Sequence, residues 1–165
     1  MIQTKRLILR EAQTKDLYDL HAIFSDPSAM RYWSHAAHDD IDRTEKFLEW
    51  FINRDLDKRV DYILEFEGRC IGKAGMWKKP EVGYLLHPDH WGKGLAFEAM
   101  QAILPMCFAK FPDIPAVTAE ADPRNIASIR LLGRLGFEQV ELREKDFLYD
   151  GTEWCDTAVF ALPRP

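Results

Sequence analysis

Hydrophobic and polar positions alternate through "KRLILREA", residues 5–12, as in a strand with one buried face. The period then changes. In "TKDLYDLHAIFSDP", Leu17, Leu20, Ile23 and Phe24 recur at helical spacing, with Thr14 placed to cap the helix. A second helix fits "DIDRTEKFLEWFINRDL", where Phe47, Leu48, Phe51 and Ile52 make the apolar stripe. Three strand-like runs follow, "VDYILEFEG", "RCIGKAGMWKK" and "EVGYLLHP", punctuated by Glu67-Gly68 and Lys79-Pro80 as in an antiparallel meander. "GLAFEAMQAIL" reads as a helix that Pro105 ends or kinks. "AVTAEA" is a short strand and "NIASIRLLGRLGF" a helix with Gly136 at its stop. Two last strands flank the turn "YDGTEW". The pattern predicts one α/β domain over residues 1–165, with a mixed sheet and one possible parallel crossover.

Composition narrows the class. A chain of 165 residues that is 47% hydrophobic and 30% charged suits one globular domain. Its longest apolar run, "AILPMCFA", is far short of a membrane span, and "MIQTKRLILREA" lacks the features of a secretory signal. A cytoplasmic protein without a membrane partner is expected. The net charge of −5 argues against a nucleic-acid partner. Cys70, Cys107 and Cys155 lack the spacing of zinc or redox motifs, so free thiols and no bound metal are expected.

Candidate chemistry concentrates in "HPDHWGKGLAFEAM", where a strand-like run gives way to a helix start. Such a start leaves backbone NH groups without intrahelical partners, and these attract anions. Gly92 and Gly94 let a ligand approach the backbone, and Lys93 adds a charge. The glycine spacing is neither that of a P-loop nor that of a dinucleotide fingerprint. Taken alone, the triplet reads as an ordinary loop and helix cap, as most isolated GxG triplets do.

The second motif, "NIASIRLLGRLGF" after "AEADPR", changes the balance. The ordered set of "TKRLILRE", "FSDPSAMRYW", "EVGYLL", "WGKG", this helix and "DGTEWCDTAVFAL" closely resembles the GNAT superfamily of N-acetyltransferases. Within it, the similarity is to the branch that modifies ribosomal-protein N-termini. The resemblance implies a mostly antiparallel, twisted mixed sheet flanked by helices, whose splayed central strands hold acetyl-CoA. It also implies that the backbone of Gly92, Lys93, Gly94, Leu95 and Ala96 wraps the pyrophosphate. The strand Leu85, Leu86 and His87 would pair with the pantetheine arm, and Asn125 would contact the same region. Trp91 stands where many relatives carry Gln or Arg, and packing is its expected task.

The implied reaction is direct attack of an amine on the thioester in a ternary complex, through a tetrahedral oxyanion, with no metal. Many relatives protonate the leaving thiolate with a Tyr, and the equivalent position here is Leu132. The resemblance assigns that task to Ser128, one turn earlier on the same face. Glu81 and Glu120 are the candidate bases, each acting through water, though half-exposed strand carboxylates are also commonplace. Trp33 is expected to wall the acceptor pocket and Met30 to join the core. His35 and His38 are expected to be solvated loop residues, and Cys155 a packed thiol. Near pH 7.4 an α-amine with pKa about 7.9 is roughly one quarter neutral, whereas a Lys side chain is neutral about one part in a thousand. A peptide or protein N-terminal α-amine is therefore the expected acceptor. The alternatives are a small-molecule amine (amino acid, polyamine or antibiotic) and a degenerate acetyl-CoA-binding module. Either a monomer or a homodimer fits.

Overall fold

A computed structural model describes residues 1–165. In chain order the elements are β1 (Ile2–Gln3), β2 (Ile8–Arg10), α1 (Leu17–Phe24), α2 (Pro27–Met30), α3 (Ile41–Ile52), β3 (Val60–Phe66), β4 (Arg69–Lys78) and β5 (Glu81–Leu86). They continue with α4 (Leu95–Lys110), β6 (Ala116–Ala121), α5 (Ile126–Arg134), β7 (Glu138–Tyr149) and β8 (Glu153–Pro163). The eight strands form one sheet in the order β1-β2-β3-β4-β5-β6-β8-β7. Every neighbouring pair is antiparallel except β5 and β6, which α4 joins as a parallel crossover.

That exception creates the site. β5 and β6 share only two register pairs, Glu81 with Thr118 and Val82 with Ala119, and then part. From Gly83 to Leu86 the β5 edge toward β6 has no strand partner, while its other edge stays paired with β4. Alternation sends Val82, Tyr84 and Leu86 toward the core layer of α4, and Leu85 toward the layer of α1 and α3. Each large side chain fully buried in these layers contributes about 1.5–3 kcal/mol, so the two sheet faces hold the parted strands firmly.

Four local expectations change. Thr14 does not cap α1: it opens a short turn, Thr14–Asp16, that Gln13 caps and that leads into α1 through Asp16, whose carboxylate accepts from the Gln13 backbone NH at 2.8 Å and is fixed by buried Arg10. α3 stops at Ile52, four residues before the expected end, where Asn53 folds its side chain onto the Glu49 carbonyl. α4 does not end at Pro105 but continues to Lys110. Pro105 and Gln101, the residue whose carbonyl loses its partner, both face solvent, so water replaces the missing bond while Ile103, Leu104, Cys107 and Phe108 pack inward. His38 is buried, not solvated: its ring stacks on Phe24 with centroids 5.0 Å apart, and Nδ1 lies 2.8 Å from Thr44 Oγ1. At the far edge of the sheet, Asp150 and Gly151 both take left-handed backbone and turn β7 tightly into β8.

Candidate active site

A cavity of about 1000 Å³ opens where β5 and β6 part, and it runs along α5. At one end stands the turn into α4. Gly92 and Gly94 have φ of +70° and +75°, left-handed values that favour glycine, and Gly94 is the helix N-cap. The first intrahelical donor is the Glu98 NH, which reaches Gly94 O at 3.0 Å. The NH groups of Leu95, Ala96 and Phe97 thus start the helix without intrahelical acceptors, beside a cavity that these residues line.

The N-terminal arm braces this turn from outside. Arg6 donates from Nη1 to Lys93 O at 2.8 Å and from Nε to Glu98 Oε2 at 2.7 Å, and Thr4 Oγ1 donates to Glu98 Oε1 at 2.6 Å. Glu98, the first acidic residue of α4, is thereby held by the arm. The Lys93 and His87 side chains do not line the cavity. His87 instead extends the ladder through its NH to Ile71 O at 2.9 Å, and its Nδ1 accepts from the Asp89 NH. Leu85 and Leu86 do line the cavity, as does half-exposed Trp91, whose indole donates to Leu86 O at 3.0 Å. Trp91 therefore occupies one carbonyl of the strand expected to receive pantetheine.

Two residues that sequence reasoning passed over complete this end. Arg130 and Arg134 lie one turn apart on α5, and Arg134 rests 4.3 Å from the Phe97 ring centroid, in the first turn of α4. An i, i+4 pair of arginines on the second motif helix was the available signal. A tight glycine turn, unpartnered NH groups and two arginines suit a polyphosphate such as that of coenzyme A.

Midway along the cavity, Ser128 Oγ and Tyr84 Oη are 2.6 Å apart and both side chains line the space. Asn125 Oδ1 accepts from the Ser128 NH at 3.3 Å, fixing the first turn of α5. Burial pushes the Tyr84 phenol up to about 12, against the opposing effect of its hydrogen bond to Ser128. It stays protonated at neutral pH. Leu132 is wholly buried in the core, and Leu131, not Leu132, joins Ser128 on the cavity wall. Tyr84 was hidden inside "EVGYLL", where alternation marks it only as another inward-facing strand residue.

Glu81 and Glu120 lie across the sheet from this pair. Both alternate with residues that face α4, so they point to the other face, and neither lines the cavity. Burial and then the charge of Glu120 raise the Glu81 carboxyl above the usual carboxylate range, with a Trp77 hydrogen bond opposing. Glu120 is paired with Arg143 at 3.1 Å. Trp33 joins the two faces: it lines the cavity, packs on the α1 and α3 layer, and sits over Lys73 Nζ, 5.6 Å from its ring centroid. Met30 is wholly buried, and Cys155 is a buried thiol 3.3 Å from Arg124 Nη2.

No group of three or more His, Cys, Asp or Glu side chains converges as a metal site, and no helix is long and apolar enough to cross a membrane.

Comparison with known proteins agrees with this arrangement. The family described as "Acetyltransferase (GNAT) domain" matches residues 6–138. The chain is 30% identical to the uncharacterized N-acetyltransferase YnaD of Bacillus subtilis, over 98% of this chain and 95% of that protein. It is 37% identical to the [ribosomal protein uS5]-alanine N-acetyltransferase of Escherichia coli, but only over 51% of this chain and 42% of that one. Its fold is similar to spermidine N-acetyltransferase from Vibrio cholerae in complex with CoA and spermine, with a TM-score of 0.79 at 18% identity, covering 96% and 95% of the two chains. The chain belongs to the GNAT acetyltransferase family. It is an N-acetyltransferase with acetyl-CoA as co-substrate.

Proposed function

We propose that the chain acetylates the α-amine at a peptide or protein N-terminus. The Ser128–Tyr84 hydroxyl pair, opening onto the gap between the parted strands, carries the acetyl-transfer part of this reading, and the mildness of the available base carries the choice of acceptor. Acetyl-CoA supplies the activated thioester, and the residues bind, align and move protons around it. The α4 NH groups, Arg130 and Arg134 hold the phosphates. The free β5 edge from Gly83 to Leu86 aligns the pantetheine amides and offers an NH to the developing oxyanion. Ser128 gives a proton to the departing thiolate as Tyr84 passes its own proton to Ser128, and water returns to Tyr84 the proton that the amine has lost.

On the opposite face, the raised Glu81 carboxyl takes the amine proton through water, away from the leaving group. Glu120 supports it by repulsion. Such a base is mild, which suits an amine already partly neutral near pH 7. The uS5-alanine acetyltransferase match supports the same acceptor class. The spermidine enzymes favour the second reading, a small-molecule amine.

Release of free thiol from acetyl-CoA tests the choice, using a peptide with a free N-terminus and no Lys against an N-terminally blocked peptide with an internal Lys. We expect the free α-amine to react faster at matched concentration over several sequences. Faster reaction of the blocked Lys peptides overturns the proposal, and reaction of neither peptide alongside turnover of small amines favours the second reading.

A further inference from the structure

The charged lining of the cavity has one sign. Its Asp, Glu, Lys and Arg content is four arginines, Arg31, Arg124, Arg130 and Arg134, with no carboxylate, in a chain whose net charge is −5. Arg130 and Arg134 lie toward the α4 turn and the phosphates. Arg31 and Arg124 lie at the other end, where the chain after α2 meets the start of α5, next to Trp33.

These two are not equivalent. Arg124 is committed: Nε and Nη2 donate to Asp122 at 2.9 and 2.6 Å, and Nη1 donates to Glu153 at 2.7 Å. Arg31 has a single hydrogen bond, from Nη2 to the same Glu153 oxygen at 3.3 Å, so Nε and Nη1 have no protein acceptor. Its guanidinium is nonetheless held in place. It lies 5.1 Å from the Tyr32 ring centroid and 5.8 Å from that of Tyr149, and Tyr149 Oη donates to Met30 O at 2.8 Å, tying the β7–β8 hairpin to the end of α2.

A stacked guanidinium with free donors at the mouth of a site is suited to bidentate recognition of a carboxylate. We infer that Arg31 binds a carboxylate carried by the acceptor close to its reacting amine. The acceptor class is then an amine with a nearby carboxylate, either a peptide with acidic residues just after its N-terminus or a free amino acid. Polyamines gain no such contact, because the cavity wall offers their additional ammonium groups no carboxylate. This inference rests on the α-amine reading above and sharpens it.

The test uses the full chain with thiol release. One series compares N-terminally free, Lys-free peptides differing only at positions two and three, Asp-Asp, Asn-Asn or Arg-Arg. A second compares free aspartate and serine with their α-amides, and spermidine is the polyamine probe. We expect kcat/KM to fall from Asp-Asp to Asn-Asn to Arg-Arg, mainly through KM, with spermidine below all three. Arg31→Gln should cut the Asp-Asp to Asn-Asn ratio about tenfold, and Arg31→Lys should restore part of it. The ratio is the readout, with folding checked by melting.

If amidation removes most of the reactivity of a free amino acid that outperforms every peptide, the carboxylate is the α-carboxylate. If the Asp-Asp peptide leads, it is a side chain. The inference is overturned if Arg-Arg or spermidine matches Asp-Asp, or if Arg31→Gln keeps the acid preference. It is also overturned if Arg31→Gln raises only the KM for acetyl-CoA, which assigns the residue to the co-substrate. Reaction of blocked Lys peptides alone defeats the α-amine reading, and the carboxylate inference then stands or falls on the same ratio between Asp-flanked and Arg-flanked Lys.

Discussion

The two ends of the cavity are built in different ways. The end at the α4 turn, which we assign to the phosphates, is made largely of backbone from one short stretch, with two left-handed glycines, the unpartnered NH groups of a helix start and a brace from Arg6. The other end, which we assign to the acceptor, is lined by side chains of two distant segments, Arg31 to Trp33 and Arg124, and held from behind by Tyr149 and Glu153 of the β7–β8 hairpin. A backbone cradle tolerates few substitutions and serves one invariant ligand. An assembly of side chains can be rebuilt residue by residue, which is why relatives of one fold take different amines.

If that contrast holds, the largest effect should come from distorting the cradle. Gly94→Val puts a β-branched side chain on left-handed backbone at the helix N-cap, with its Cβ in contact, at 3.6 Å, with the Arg6 guanidinium that braces the turn. We expect acetyl-CoA affinity to fall about a hundredfold, with Gly94→Ala intermediate, and stability to drop by about 1–2 kcal/mol from the backbone alone. Calorimetric titration of a variant shown by melting to be folded is the check. Unchanged affinity would break the assignment of the phosphate end.

Next in size is the hydroxyl pair between the two ends. Ser128→Ala should lower kcat about ten- to a hundredfold with little change in the KM for acetyl-CoA, because proton donation acts in the transition state. Tyr84→Phe should cost less, since Ser128 keeps its own proton, and the double variant should cost little more than Ser128→Ala alone. Additive losses in steady-state kinetics would show that Tyr84 and Ser128 act separately despite their 2.6 Å contact.

The same contrast governs what could be read from the chain. Local backbone chemistry was legible: the glycine turn, the α4 start, the Asn125 cap and the parallel crossover all leave marks in contiguous sequence. Pairings between distant segments were not. Tyr84 and Ser128 are 44 residues apart and Arg31 and Glu153 are 122 apart, and no spacing rule joins them. Pro105 does not end α4, because a proline's effect depends on which side of the helix faces water. His38 misled because a polar loop sequence says nothing of the aromatic ring it will stack on.

The smallest expected effect concerns that histidine, on the acceptor side. Thr44 Oγ1 lies 2.8 Å from both His38 Nδ1 and His21 Nδ1, so one hydroxyl bridges the two rings. Burial first, then the neighbouring His35, Arg43 and His21, lower His38 to about 4, with Asp39 opposing. Its unfolded value is about 6.5. The unfolded chain therefore binds the proton more readily, so this contribution to stability is complete above about pH 6.5 and is lost as pH falls toward about 4. His38→Asn keeps a polar atom toward Thr44 but cannot titrate. Between pH 7 and 4.5 we expect the melting temperature of the parent to fall about 5 °C more than that of the variant. Over that range the KM for the acceptor, referred to its neutral amine, should rise more in the parent than in His38→Asn, while the KM for acetyl-CoA changes alike in both, because the His38 loop adjoins Trp33 and not the phosphate turn. Parallel melting curves for parent and variant would remove His38 as the acid-sensitive point, and simultaneous loss of both substrates would erase the distinction between the two ends.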